Sequence, residues 1–467
     1  MNLHDAIDHY HSLLDEAAAR EMFAQLDAAL RARRLLVGKA RDRLICSVLR
    51  PRFVTEAQYV TLRRAAELVG RAARKVGAAA LGDPQLLAPY ALTEQERELL
   101  AIDPGYGGVS AFGRLDAFLS ADGAECWFVE SNLESPAGIG YDEALAEVFD
   151  GLEVMRAFRR TYRAEALPVR QALQQLLLDI YRVWGGAGTP TVAIVDFREV
   201  VTMSEFEHLR DRFAADGIPT VIADPADLRY DGVRLYAGNT PIALVYRRVL
   251  QHEFLAKHGL EHPLVRAYAD RAVCVVNPFR TKPVHTKLIM ALLSDEDSSA
   301  AGLLDAEERA AVERHVPWSR HVRAGATRYQ GERVDLPDFA RRNRERLALK
   351  PNDDYGGQGV LLGWTVDQAT WEHALDAALG SPYVIQERVP VPTEDYPTWT
   401  PEEGLRFTPR YVDADPCIFG DAALGCLTRI AATALLNVSA GGGSAPPTYL
   451  VQEVGDLSTR ELKEDRL

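Results

Sequence analysis

The chain has 467 residues, of which 47% are hydrophobic and 26% charged, and a net charge of -14. That length exceeds one ordinary core, and the composition is that of a globular protein, not a disordered or repetitive one. The acidic balance argues against a nucleic-acid surface. No apolar run approaches the roughly 20 residues of a bilayer span, and the start, with Asp5, Asp8 and Asp15, lacks a signal-peptide plan, so a cytoplasmic protein with neither nucleic-acid nor membrane partner is expected.

Residues 1–104 are rich in Ala, Leu, Arg and Glu at helical spacing, as over 56–80, and are expected to form a helical region without strands. Two short strands follow, carrying Arg114 and Asp116, then Glu130 and Asn132. Residues two apart in a strand share a face, so an arginine, two carboxylates and a carboxamide lie on one side of a hairpin. A two-residue Asp122-Gly123 turn would set Asp116 against Val129 and split the acidic set. A loop of three or five residues sets Asp116 across from Glu130 and Phe118 across from Phe128, and an odd loop is therefore expected. Solvated charges on an amphipathic hairpin are the alternative. Glu130 directly follows the apolar Cys126-Trp127-Phe128-Val129, where a carboxylate needs a partner or a metal. Oxygen ligands of this kind suit magnesium, which keeps positions for water and phosphate.

Helices are expected over 141–158 and 164–184, the second ended by Gly185-Gly186. A strand at 191–195, a helix at 204–216 and a strand at 219–223 form a βαβ unit, with further strands at 242–246 and 272–276. The five cysteines have no CxxC spacing and the eleven histidines no HExxH, which points to reduced core thiols and no structural zinc.

The second chemical centre is a strand ending at Lys350, followed by Tyr355, Gly356, Gly357, Gln358 and Gly359. Glycines bring backbone N–H groups close to phosphate oxygens and the lysine adds a mobile charge. The lack of a following Gly-Lys-Ser/Thr excludes a Walker A loop, and the glycines' place after the lysine excludes a kinase glycine loop, although an ordinary glycine-turned hairpin remains open. Downstream, a buried strand over 383–389 runs through Gln386, Glu387 and Val389 into a polar hinge, with Glu394 beyond.

A lysine strand, a glycine flap and a strand ending in Gln-Glu resemble the nucleotide half of the ATP-grasp superfamily. Here Arg114, Asp116, Glu130 and Asn132 precede the glycine loop instead of following it, which is similar to the circularly permuted ATP-grasp ligases of the glutathionylspermidine synthase type. The resemblance runs from about residue 105 onward. It leaves the helical region 1–104 unexplained and implies, beyond it, an α/β (α+β) fold with permuted ATP-grasp strand order: an ATP-grasp segment 105–190 with the metal hairpin, a Rossmann-like pre-ATP-grasp subdomain 191–276, and nucleotide-binding lobes 277–467. It implies Asp116, Glu130 and Asn132 as Mg2+ ligands, and Arg114 and Arg429 beside the reacting groups, with a surface arginine the alternative for Arg429. Lys350 and Lys287 would meet the ATP phosphates, Lys282 being a rival to Lys287. Gln386, Glu387 and the Val389 backbone would form the adenine hinge, and Glu394 the ribose contact. Softer roles fall to residues 133–138, as a substrate loop, and to the Gly/Ser stretch 437–444, which a flexible linker explains equally.

The implied reaction is ATP-dependent joining of a small acid to an amine through an acyl-phosphate, releasing ADP and phosphate. The alternatives are a phosphotransferase or ATPase on the same site and a non-catalytic nucleotide-binding protein. The acid, the amine and the choice between monomer and homodimer stay open.

Overall fold

A computed structural model describes residues 2–454, apart from 39, 355, 435, 437 and 439–442. The chain is mixed α/β, with many helices and several separate sheets. Helix Glu56–Ala80 begins with a reciprocal cap: Thr55 Oγ1 accepts the Gln58 N–H at 3.2 Å and Gln58 Oε1 accepts the Thr55 N–H at 2.9 Å. Small residues let this helix lie close to its neighbours. A Cβ at Gly70 would stand 2.4 Å from Ile418 Cδ1, and one at Gly77 would stand 2.2 Å from Val284 Cγ1.

The first hundred residues also hold strands, contrary to expectation. Leu36–Val37 pairs with Arg43–Leu44, while Arg52–Thr55 pairs in parallel with Thr448–Glu453 from the far end of the chain. Thr448–Glu453 pairs antiparallel with Tyr162–Ala166 on its other side. Segments this short carry too little alternation to read, and their partners are remote. The expected helix at 164–184 accordingly starts only at Val169, after Pro168, and that at 141–158 divides into Ile139–Asp150 and Glu153–Phe158 around Gly151.

The βαβ unit forms a four-stranded parallel sheet in the order Cys274–Val276, Leu244–Arg247, Val192–Val195, Thr220–Ala223. Helix Met203–Ala215 crosses over it and buries Phe206, Leu209 and Phe213. Val192–Val195 and Leu244–Arg247 are buried throughout, as parallel strands covered on both faces must be. The expected strand at 242–246 is split, because Ile242 ends a separate antiparallel strand, Thr240–Ile242.

Two antiparallel sheets carry the candidate site. One runs Ala422–Leu427, Asp415–Phe419, Phe112–Leu119, Cys126–Asn132, so the acidic hairpin is completed by strands about three hundred residues later. The other runs Ser319–His321, Tyr383–Glu387, Leu347–Pro351, Leu361–Leu362.

The hairpin pairs Asp116 with Glu130 and Arg114 with Asn132, by a different route from the expected odd loop. The Ser120 N–H donates to Glu125 O at 2.8 Å, leaving the four residues 121–124 as the loop. An even loop alone would split the acidic set. A bulge between Asp116 and Ala117 leaves Val129 as the extra residue and restores the phase, so Phe118 faces Trp127 and not Phe128.

Candidate active site

Asp116 is 5% exposed and surrounded by donors. Its Oδ1 accepts from Arg114 Nε at 2.8 Å and from Asn132 Nδ2 at 2.8 Å. Its Oδ2 accepts from Arg114 Nη2 at 3.1 Å and from Arg429 Nη2 at 2.8 Å. A carboxylate offers about four acceptor positions, and all are taken. Burial by itself would raise the Asp116 pKa, but Arg114 and Arg429 hold it well below the usual carboxylate range.

The two arginines are themselves fixed. Arg114 Nη1 donates to Ala137 O at 2.9 Å in the loop after the hairpin. Arg429 Nε meets Asp413 Oδ2 at 2.7 Å and its Nη2 meets Asp415 Oδ2 at 3.0 Å. Asp415 also accepts the Ala117 N–H at 3.1 Å, across the bulge. Burial raises the Asp413 and Asp415 carboxyls, Asp415 far above its ordinary value, against the pull of Arg429. Asp413 and Asp415 were not foreseen. Their Asp-x-Asp spacing, next to the apolar Pro416–Phe419 run, was the available signal, the same period-two pattern as Arg114/Asp116.

Lysines approach the hairpin from the other side. Lys287 Nζ lies 3.0 Å from Glu130 Oε1 and also donates to Asp354 O, while its backbone N–H donates to Asn352 O at 3.0 Å. Lys350 Nζ donates to Val129 O at 3.2 Å and to Gln386 Oε1 at 2.6 Å. Burial lowers the Lys350 pKa from 10.5 to about 8; Lys287 pushes the same way, and Glu130 and Asp116 oppose it. The rival Lys282 points elsewhere, to Glu96 at 3.0 Å and to Asp353.

Gln386 is buried, with its Nε2 on Ser319 Oγ at 3.0 Å. Glu387 projects to the opposite face and accepts from Tyr329 Oη at 2.7 Å and Arg346 Nη2 at 2.9 Å. Val389 is half-buried just past the strand end. Gly356, Gly357 and Gly359 have φ of +66°, +75° and +67°, a backbone that only glycine adopts without strain, and Gln358 between them is exposed. Tyr355 and most of the 437–444 stretch (437 and 439–442) lie outside the described residues. Glu394 is not grouped with these. It sits on Thr393–Thr400, in another sheet, with Arg50 Nη2 at 2.9 Å from its Oε2 and Arg52 beside it.

The structure thus gathers Arg114, Asp116, Glu130, Asn132, Lys287, Lys350, Gln386 and Arg429, and leaves Glu394 apart. Among the described residues no three His, Cys, Asp or Glu side chains converge as a metal cage. The oxygens with capacity for a hard cation are those of Glu130, 26% exposed and paired with Lys287, and Oδ1 of Asn132, whose amide N–H is oriented by Asp116. A desolvated Lys350 beside Lys287 fits an anion such as a phosphate.

No family model matches the chain. It is 25% identical over 383 residues to a putative glutamate–cysteine ligase 2-2 of Frankia casuarinae, covering 74% of this chain and 39% of that protein. The chain therefore spans well under half the length of that curated relative. Among solved structures, the apo form of a glutathione synthetase-like effector from Globodera pallida superposes with a TM-score of 0.58 at 12% identity, covering 92% of this chain and 97% of the other. A putative gamma-glutamylcysteine synthetase from Methylobacillus flagellatus gives 0.40 at 12% identity, over 81% and 88%. The likeness to the Globodera protein is one of fold.

Proposed function

We propose that the chain is an ATP-dependent carboxylate–amine ligase of ATP-grasp type with permuted strand order, working through an acyl-phosphate. The observation that carries this reading is the convergence of four cations, Arg114, Arg429, Lys287 and Lys350, from distant segments onto one carboxylate hairpin. The name of the Frankia relative, a glutamate–cysteine ligase, supports a C–N bond-forming activity of the same class. The permuted order is supported by the sheet in which residues 112–132 lie beside 415–427.

In this reading the acid's carboxylate oxygen attacks the γ-phosphorus of ATP and the bond to ADP breaks. The amine then attacks the acyl carbon, phosphate leaves, and the amine nitrogen loses a proton. Crowded negative charge is the main obstacle to the first step, and preorganised cations lower it by electrostatics. Lys350 and Lys287 hold the phosphates, with Gln386 keeping the Lys350 ammonium in place. Arg114 and Arg429, immobilised by Asp116, Asp413 and Asp415, face the reacting oxygens. Glu130 and Asn132 would hold Mg2+, which when bound neutralises phosphoryl charge. The glycine loop at 356–359 closes over the nucleotide and keeps water from the acyl-phosphate.

The test is a screen of small acids and amines for product formation, with hydroxylamine present as a trap. ADP and a hydroxamate are expected. AMP with pyrophosphate overturns the acyl-phosphate route, and ADP without any acid requirement assigns a phosphotransferase or ATPase instead.

A further inference from the structure

Arg50 and Arg52 are 0% and 4% exposed, and among the described residues the carboxylate that ion-pairs with both is Glu394, with the Asp395 charge acting on Arg50 beside it. Arg50 Cζ lies 4.1 Å from the centre of the Tyr396 ring, a cation–π contact. Among the described residues the Nε atoms of both arginines are buried without a hydrogen-bond partner, and so is Oγ1 of Thr408, which is in register with Tyr396 across the Thr393–Thr400 and Gly404–Val412 hairpin. Burial disfavours the charged form of both arginines. An excess of buried positive charge with unused donors is costly unless an anion completes it. Glu394, 21% exposed, is the member of this ion-paired group that reaches solvent.

The cluster connects to the candidate active site. Arg52 is in register with Thr448, Thr448 Oγ1 is 3.0 Å from Thr428 Oγ1, and the next residue, Arg429, reaches Asp116. We infer that Arg50 and Arg52 form a receptor for an organic carboxylate, held closed by Glu394, and that its ligand is a carboxylate of the acid substrate. This identification of the ligand rests on the ligase reading above. Guanidinium forks match a carboxylate bidentately, which an ammonium group cannot imitate.

The experiment is calorimetric titration of the full chain with glutarate, and with the uncharged isostere glutaramide. Glutarate is expected to bind and glutaramide not to. Arg52→Lys keeps the charge but loses the fork, and should weaken glutarate at least tenfold. Glu394→Gln removes the internal competitor and should tighten it several-fold. Arg50→Met/Arg52→Met/Glu394→Met, which removes the two buried cations together with the carboxylate they share and so leaves none of the three unpaired, should abolish binding. Absence of glutarate binding in both wild type and Glu394→Gln overturns the receptor, as does an affinity within twofold of wild type in Arg52→Lys. Equal competition by sulfate overturns the carboxylate assignment. ADP release assays separate this result from the ligase reading. Binding through Arg52 with no ADP release for any acid keeps the receptor and removes the ligase, whereas acid-dependent ADP release that Arg52→Lys leaves unchanged does the reverse.

Discussion

Lys350 Nζ donates to the carbonyl oxygen of Val129 at 3.2 Å, joining residues 221 positions apart. Val129 is the extra residue of the hairpin bulge, so the irregularity that brings Glu130 opposite Asp116 also turns a carbonyl toward the lysine. One local feature thereby couples the acidic hairpin to the lysine sheet.

If Lys350 holds the nucleotide phosphates as proposed, it should set a pH dependence for binding. Its pKa in the unliganded fold is about 8, and phosphate favours the ammonium form. ATP affinity should therefore be greatest below pH 8 and fall as pH rises through that value, by up to about tenfold per unit. Stability should move the other way: between about 8 and 10.5 the unfolded chain binds more protons, so stability rises with pH. Lys350→Met should flatten both profiles, weaken ATP at neutral pH, and leave the fold no less stable there. Calorimetry of ATP binding and urea unfolding from pH 7 to 10 check the two signs.

Asp116 and Asp415 should respond unequally to amidation. Asp116 has a depressed folded pKa, so its stabilisation is present above the ordinary value of 3.8 and is lost as pH falls below it. Asp116→Asn leaves Arg114 and Arg429 short of a buried charge and should cost about 3 kcal/mol or more. Asp415 has a raised folded pKa, so its contribution is present below 3.8 and is lost as pH rises from there. Asp415→Asn fixes the uncharged form that burial favours, and should cost less than Asp116→Asn. Denaturant midpoints for the two variants decide this, and equal losses would contradict it.

Gly113 matters for close approach, not for its dihedral. A Cβ there would stand 2.7 Å from Leu133 Cα and 2.8 Å from Asn132 O, both backbone atoms that cannot swing away. Gly113→Ala should cost about 1–3 kcal/mol and displace Asn132. Thermal unfolding measures the first effect, and loss of Mn2+ affinity in the folded variant measures the second.

The parts legible in sequence were those where period and spacing are local. Helix Glu56–Ala80, the parallel strands and the Arg114/Asp116 and Glu130/Asn132 pairs all fall in this class. Pairing of Asp116 with Glu130 was also anticipated, though for the wrong reason, because a bulge leaves no mark on hydrophobic alternation distinct from a change in loop length. Strand Arg52–Thr55 was hidden because it is four residues long and its partner is Thr448–Glu453. Glu394 looked like a continuation of the Gln386-Glu387 hinge, but the chain changes sheets between them, and only long-range packing reveals that Arg50 and Arg52 claim it. Asp413 and Asp415 carry no sequence signal of their role beyond their Asp-x-Asp spacing, and that role appears only when the arginine they hold is placed beside Asp116.

The proposed metal ligands can be distinguished by what their oxygens already do. All four acceptor positions of Asp116 are filled by Arg114, Arg429 and Asn132, whereas Glu130 carries one ion pair, to Lys287, and remains 26% exposed. Mn2+ titration followed by electron paramagnetic resonance, with the nonreactive nucleotide ADP present, reads metal binding without turnover. Glu130→Gln should weaken Mn2+ about tenfold or more, since it removes a charged oxygen ligand. Asp116→Asn, measured at a temperature where it stays folded, should weaken Mn2+ by no more than about threefold, its charge acting through Asn132 and the arginines and not on the metal directly. An equal loss in the two variants would return Asp116 to the ligand set and require Arg429 to move off it when metal binds.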